Sequence, residues 1–355
     1  MLLQAPINSL GYGVVGYNVA KQLIKNDKNT VIFPIGDPEP ELYQDLQHND
    51  WRVKQIVDCR SGTPSLKIWH QNGLHERVGY GRLIGFPIFE LNTFTQIEKR
   101  SMMFCDRIFV CSKWAKDIVQ DQITTPDECI KVVPLGVDRG IFHENNNTSR
   151  PATIFFNCGK WEIRKGHQEL LQAFNRAFQA KDNVELWMMC ENPFLGPDGN
   201  KQWMDYYKNS PLGNKIRFIP RQKSHRDVYN IMRQVDIGVF PVKAEGWNLE
   251  LLELLSCGKN VITTNYSGHT EFTDHINSNI IEIDQMELAQ DNIWFHGQGY
   301  WAKIGDRQVD QMIHRMRYLH KLKQDGELGL NIAGIETAMK FSWENTAKEI
   351  LDGFI

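Results

Sequence analysis

The sequence predicts an α/β protein of two Rossmann-like domains facing each other across a cleft. Three observations lead there. Short apolar runs of strand length alternate with amphipathic helical patterns along the chain. One polar, proline-containing stretch without periodicity, Glu144–Ala152 (ENNNTSRPA), breaks the alternation, which then restarts. With 355 residues, 41% of them hydrophobic and 23% charged, the chain is long enough for two ordinary cores.

In the first domain, residues 1–146, strands are expected at Thr30–Ile35, Leu66–His70, Leu83–Glu90, Arg107–Cys111 and Ile130–Pro134. Helical patterns there cover Gly16–Lys25 and Lys113–Gln120. The second domain, residues 147–341, opens with the strand Ala152–Gly159 and the helix His167–Phe178, whose Leu170, Leu171, Phe174, Ala177 and Phe178 share one face. Strands follow at Val184–Cys190, Lys215–Pro220, Asp236–Val242 and Lys259–Thr264, with helices at Arg226–Gln234, Leu249–Ser256 and Arg307–Lys323. A last helix, Trp343–Gly353 within residues 342–355, is expected to cross back to the first domain.

A net charge of −3 and a pI near 6.4 give no overall attraction to nucleic acid or anionic membrane, so either partner would need a local patch. The seven cysteines (Cys59, Cys105, Cys111, Cys129, Cys158, Cys190, Cys257) form no Cys-x-x-Cys pair, and several lie in apolar strands where Cys packs as a small hydrophobe. This odd, scattered set predicts a reducing, cytoplasmic compartment and no structural zinc. His75, His143, His225 and His269 stand at no metal-ligand spacing. No signal-peptide pattern opens the chain, and no run approaches the ~20 apolar residues of a membrane span, which leaves only peripheral membrane contact.

Three stretches carry chemistry. In Asn8–Asn18 (NSLGYGVVGYN), Gly11, Gly13 and Gly16 form G-x-G-x-x-G, which lets a phosphate or sugar approach a helix N-terminus. Only Asp37 stands near the place of a dinucleotide-type acidic residue, so a plain tight turn fits equally well. In Asn157–His167 (NCGKWEIRKGH), Lys160, Arg164 and Lys165 follow a strand within six positions and suit a diphosphate. A solvated basic turn would look the same. In Lys243–Thr264 (KAEGWNLELLELLSCGKNVITT), Glu245 precedes a helix capped by Asn248, where the amides of Gly246, Trp247, Asn248 and Leu249 are expected to be open to an anion. Glu253 points away from the arc of Leu251, Leu252, Leu254 and Leu255, toward solvent or toward a ligand.

Together these stretches resemble the retaining glycosyltransferases of GT-B fold, in the large GT4-like family, the glycosyl transferases group 1. Glu245–Thr264 is similar to that family's E-x7-E signature, and Gly159–Phe174 to its phosphate-binding stretch. The glycine loop, Phe109–Val119 with Val132–Asp138, and the terminal FSWENTAKEIL agree in order and spacing. The resemblance implies transfer of a hexose from a nucleoside-diphosphate sugar to a hydroxyl, with anomeric retention. Glu253 would bind the ribose hydroxyls, Glu245 the hydroxyls of the transferred sugar, and Lys165 the diphosphate. Lys160 stands where most members carry arginine, and Asn248 where they carry glycine. Gly13, Gly16 and the Gly246–Leu249 turn would meet the donor, and Arg221, next to Ile219 and Pro220, would lie beside the base. No Asp-x-Asp sits at a strand end to hold a divalent ion, so neither metal nor other cofactor is expected.

The first domain departs more from the family. Glu90 stands where many members carry a sugar-facing histidine, and His70 is a second candidate at the site; an ion-paired strand end and a hydrogen-bonded structural histidine are the plainer readings. Interspersed aromatic and basic residues (Trp51, Arg52, Lys54, Arg60, Lys67, Trp69, Arg77, Tyr80, Arg82) suit a saccharide or glycan acceptor, a lipid-linked sugar, or a modified base in DNA. A nucleotide-sugar epimerase or phosphatase-like enzyme, and an idle binding subunit of the same fold, are the rival readings. The presence of Glu245, Glu253 and Lys165 argues against the idle subunit.

Overall fold

The computed structural model describes residues 1–27, 29–39, 46, 62–146 and 150–354. Trp51, Arg52, Lys54, Cys59 and Arg60 lie outside the described residues. The chain divides into two compact units, Met1–Gly136 with Phe341–Ile355, and Val137–Lys340.

The first unit is built on a parallel sheet of β1 (Leu2–Ala5), β2 (Val31–Pro34), β3 (Ser65–Ile68), β4 (Leu83–Phe86), β5 (Arg107–Val110) and β6 (Ile130–Val132), in the order β2-β1-β3-β4-β5-β6. Central strands of such a sheet are covered on both faces, which is why LIGF and SLKI are buried throughout rather than alternating. The order reverses beside β1, and the carboxyl ends of β1 and β3 therefore frame a natural ligand position.

Two sequence expectations shift here. The first helix, α1 (Gly11–Asn26), begins before Gly16, because its glycines serve close approach rather than a loop. A Cβ on Gly13 would lie 2.1 Å from Asn8 Oδ1, and one on Gly16 2.1 Å from the Pro6 carbonyl oxygen. Strand β4 stops at Phe86 instead of running to Glu90, since Pro87 has no N–H to give the ladder. The ladder's place is taken by Tyr12, whose hydroxyl donates to the Ile88 carbonyl (2.5 Å) and accepts from the Ile88 N–H (3.1 Å).

The next helices carry side-chain caps. Thr95 and Glu98 form a capping box at α2 (Gln96–Met103), and Ser112 caps α3 (Lys113–Gln122).

The second unit repeats the plan with β7 (Thr153–Gly159), β8 (Val184–Cys190), β9 (Ile216–Phe218), β10 (Ile237–Phe240), β11 (Asn260–Thr264) and β12 (Asn279–Ile281), all parallel, in the order β12-β11-β10-β7-β8-β9. Its helices are α4 (His167–Ala177), α5 (Gly196–Lys208), α6 (His225–Met232), α7 (Leu249–Ser256), α8 (Asp306–Gln324) and α9 (Ile332–Lys340). Phe155, Leu186, Leu170, Phe174, Met312 and Met316 form part of the core that joins the sheet to α4 and α8. Here the order reverses between β7 and β10.

An antiparallel hairpin, β13 (Met286–Gln290) and β14 (His296–Ala302), follows β12. Periodicity gave no hint of it. The last helix, α10 (Trp343–Asp352), packs on α1. Thr346 Oγ1 donates to the Pro134 carbonyl at 2.8 Å and Lys131 pairs with Glu349 at 2.8 Å.

Candidate functional site

In the second unit the segments after β7 and β10 meet at the reversal point. Gly166 makes this possible: its φ is +68°, and a Cβ there would lie 1.8 Å from the Pro241 carbonyl oxygen. The Lys243 N–H donates to the Arg164 carbonyl at 2.7 Å, which joins the two segments by their backbones.

On this frame stands a chain of ion pairs. Lys160 Nζ lies 2.7 Å from Glu162 Oε1, and Glu162 Oε2 lies 2.7 Å from Arg164 Nε. Arg164 Nη1 continues to Glu245 Oε2 at 2.9 Å and donates to the Ala244 carbonyl at 3.0 Å. Lys165 Nζ takes the other Glu245 oxygen, Oε1, at 2.7 Å. All but Lys160 are buried. Burial alone would raise the Glu245 carboxyl, but Arg164 and Lys165 outweigh it and hold the group at about 2. Burial works against the Lys165 ammonium too, and Glu245 and Glu250 more than reverse that, so the lysine stays charged.

The backbone of Glu245 is clamped by the segment after β11. Its N–H donates to Ser267 Oγ at 2.8 Å, and its carbonyl accepts from the Gly268 N–H at 2.9 Å. Ser267 holds φ +80° and ψ −159°, a conformation ordinarily left to glycine, so the clamp carries backbone strain. His269 is fully buried, and its Nε2 lies 2.8 Å from the Thr264 carbonyl. Desolvation drops its pKa to about 4 and keeps it neutral.

Asn248 explains its own departure from glycine. It takes the left-handed conformation (φ +75°, ψ +72°) that Asn tolerates, and its Oδ1 accepts from the Leu251 N–H at 3.3 Å, capping α7. Its Nδ2 is buried without a hydrogen-bond partner. Glu253, expected to clear the leucine arc, is nonetheless buried, and desolvation with the nearby Glu250 pushes its carboxyl well up. Glu250 and Glu253 both act on the Cys158 thiol, which sets the first turns of α7 against the end of β7.

The second unit thus brings Lys160, Lys165, Glu245, the Gly246–Leu249 turn and Glu253 to one place. Arg221 lies past β9, two strands from β7, and is half-buried. The first unit gathers its own candidates around Tyr12. The Tyr12 ring lies 4.7 Å from His70 and 5.8 Å from Trp69, and the Glu90 charge adds to burial in raising its hydroxyl. Gly13 and Gly16 follow that tyrosine on α1. Sequence reasoning named Arg164 only as a cation, weighed His269 only as a metal ligand, and passed over Glu162, Glu250, Ser267 and Tyr12. Their only signals were Glu162 two positions before Arg164 and Glu250 three before Glu253. Among the described residues no group of three or more His, Cys, Asp or Glu could hold a metal ion, and no helix is long and apolar enough to cross a membrane.

Residues 152–295 match the family of glycosyl transferases group 1. No curated protein sequence matches the chain. Solved structures share its fold at low identity. Anabaena HepE in complex with UDP-glucose is 14% identical, with a TM-score of 0.72 over 99% of this chain and 98% of its own. Sucrose-phosphate synthase from Thermosynechococcus elongatus gives 12% and 0.72 over 99% and 97%. The apo lipopolysaccharide outer core galactosyltransferase WaaB gives 13% and 0.65 over 100% and 99%. The chain therefore has the fold of solved glycosyltransferases, and its residues 152–295 match the glycosyl transferases group 1 family.

Proposed function

We propose that this protein is a glycosyltransferase that moves a hexose from a nucleoside-diphosphate sugar to a hydroxyl of a saccharide or glycan acceptor, with retention at the anomeric carbon. One observation carries the reading: Lys165 and Glu245 meet at 2.7 Å at the sheet's reversal point, where an anion and a hydroxylated ring could be held side by side. The solved complex of HepE with UDP-glucose, in the same fold, supports a nucleotide sugar as donor.

Lys165 and the partly exposed Lys160 neutralise the diphosphate as it leaves, a task a divalent ion would otherwise share, and we propose that no metal is needed. Glu245, held ionised, accepts hydrogen bonds from the sugar hydroxyls and orients the anomeric carbon. Glu253 takes the ribose hydroxyls, and Arg221 stands on the base side. In the first unit, Glu90 and His70, grouped around Tyr12, contact the sugar or the acceptor, while Gly13 and Gly16 are taken up by close contacts with Asn8 and Pro6. The free thiols of all six described cysteines fit a cytoplasmic setting.

Calorimetric titration with UDP, GDP and ADP, with and without magnesium, tests the donor assignment. Tight binding of one nucleotide, unchanged by the metal, is expected. Binding of none, or only with magnesium, refutes the site as described. The configuration of the glycoside formed, read by NMR with the donor so identified, tests retention.

A further inference from the structure

We infer that Arg164 is a positioning residue that keeps Glu245 charged and in place while Lys165 turns to the donor's diphosphate. The inference rests on the assignment of Lys165 and Glu245 proposed above. Glu245 is shared by two cations, one on each oxygen, and the two are held very differently.

Arg164 is fixed without any ligand. Its Nε is bound to Glu162 at 2.7 Å, its Nη1 also donates to the Ala244 carbonyl at 3.0 Å, and its own carbonyl accepts from Lys243 at 2.7 Å. Planar and forked, it spans both carboxylates at once. Lys165 carries a point charge on a flexible stem. Its end packs closely on Gly159, where a Cβ would lie only 3.2 Å from Lys165 Nζ.

A diphosphate that recruits Lys165 competes with Glu245 for the same ammonium. Were Lys165 the sole partner, its departure would strand a buried carboxylate, which is strongly unfavourable. With Arg164 on the second oxygen, Glu245 keeps a partner and an orientation. The other groups facing this pair do not substitute for it. His269 is neutral near pH 7, its pKa being about 4, and Lys160 stands on the other oxygen of Glu162 from Arg164.

The test is calorimetric titration near about pH 6 in buffers of different ionisation enthalpy, which counts protons taken up per nucleotide bound. The nucleotide is whichever of UDP, GDP and ADP the wild-type protein binds. Arg164→Met is expected to bind it between about ten- and a hundredfold more weakly, and to take up as much as about one proton more than wild type, because Glu245 must protonate when Lys165 leaves. Arg164→Lys recovers most of the affinity and loses the extra proton. Lys165→Met binds weakly but shows no extra proton, since Glu245 never loses Arg164. If Arg164→Met does not fold, Arg164→Gln carries the same expectation.

Arg164 variants that match wild type in affinity and proton count overturn this inference alone. So does weaker binding with an unchanged proton count, which marks a merely structural arginine. A wild-type protein that binds none of the three nucleotides removes the donor-site assignment and this inference with it.

Discussion

Replacing Glu245 by Gln isolates how much the buried ion cluster contributes to the second unit's stability. Arg164 and Lys165 hold the native carboxyl at about 2 against an ordinary 4.5, which corresponds to roughly 3–4 kcal/mol. Breaking a buried pair by removing one partner costs about 3–5 kcal/mol, so the two routes agree. The sign follows from the depressed value. Glu245's contribution is fully present above about pH 4.5 and is lost as the pH falls toward about 2. Glu245→Gln lacks it at every pH. The stability gap between the two proteins should therefore be about 3–5 kcal/mol near neutrality and close toward zero below about pH 2. Urea unfolding, read by pulsed hydrogen exchange at the amides of β7 and β10, confines the measurement to this unit. Glu162 is also held low, chiefly by Arg164 and Lys160 against its burial, and because it shares Arg164 with Glu245 the gap reports the coupled pair. A gap that stays constant from neutral pH to acid would refute the claim that Arg164 and Lys165 stabilise the ionised form.

Other substitutions probe the frame around the site. Gly166→Ala places a methyl 1.8 Å from the Pro241 carbonyl oxygen in a left-handed residue, and should cost more than about 3 kcal/mol in the same urea assay. Asn248→Gly keeps the left-handed turn and should lose less than about 1 kcal/mol, whereas Asn248→Leu forfeits both turn and cap, about 2–3 kcal/mol; equal losses would mean that the turn conformation is not what selects Asn. Tyr12→Phe strands both polar groups of Ile88, so exchange at amides of β1 and β4 should report a loss of about 1–3 kcal/mol in the first unit.

The sequence made the strands legible because a doubly covered parallel sheet writes continuous apolar runs, as TIFFNCG shows. Its errors fell where backbone chemistry overrides hydrophobicity. Phe86-Pro87-Ile88-Phe89 reads as one strand by apolar content, yet proline ends the ladder and a tyrosine hydroxyl from α1 satisfies the next residue. Gly13 reads as a loop residue and Gly16 as the first of the helix, yet both lie inside it, in close contact with Asn8 and Pro6. The hairpin Met286–Ala302 was invisible because a bulge and two left-handed glycines, Gly297 and Gly299, break its alternation.

At the site, residue types were legible and partnerships were not. Lys160, Arg164 and Lys165 lie within six positions of sequence and look alike as charges. The fold gives each a different role through partners drawn from different distances. Lys160 is tied to Glu162, its near neighbour, and remains partly in solvent. Arg164 is tied to the Ala244 carbonyl eighty residues away and is buried. Lys165 shares its carboxylate with that arginine and packs on Gly159. A cation fixed on three sides is suited to holding another residue, and a cation on a flexible stem with a single ion pair is suited to exchanging that pair for a ligand. The division of labour between neighbouring charges therefore follows from the closing of two loops at a sheet reversal, which Gly166 permits and no local pattern in the sequence encodes.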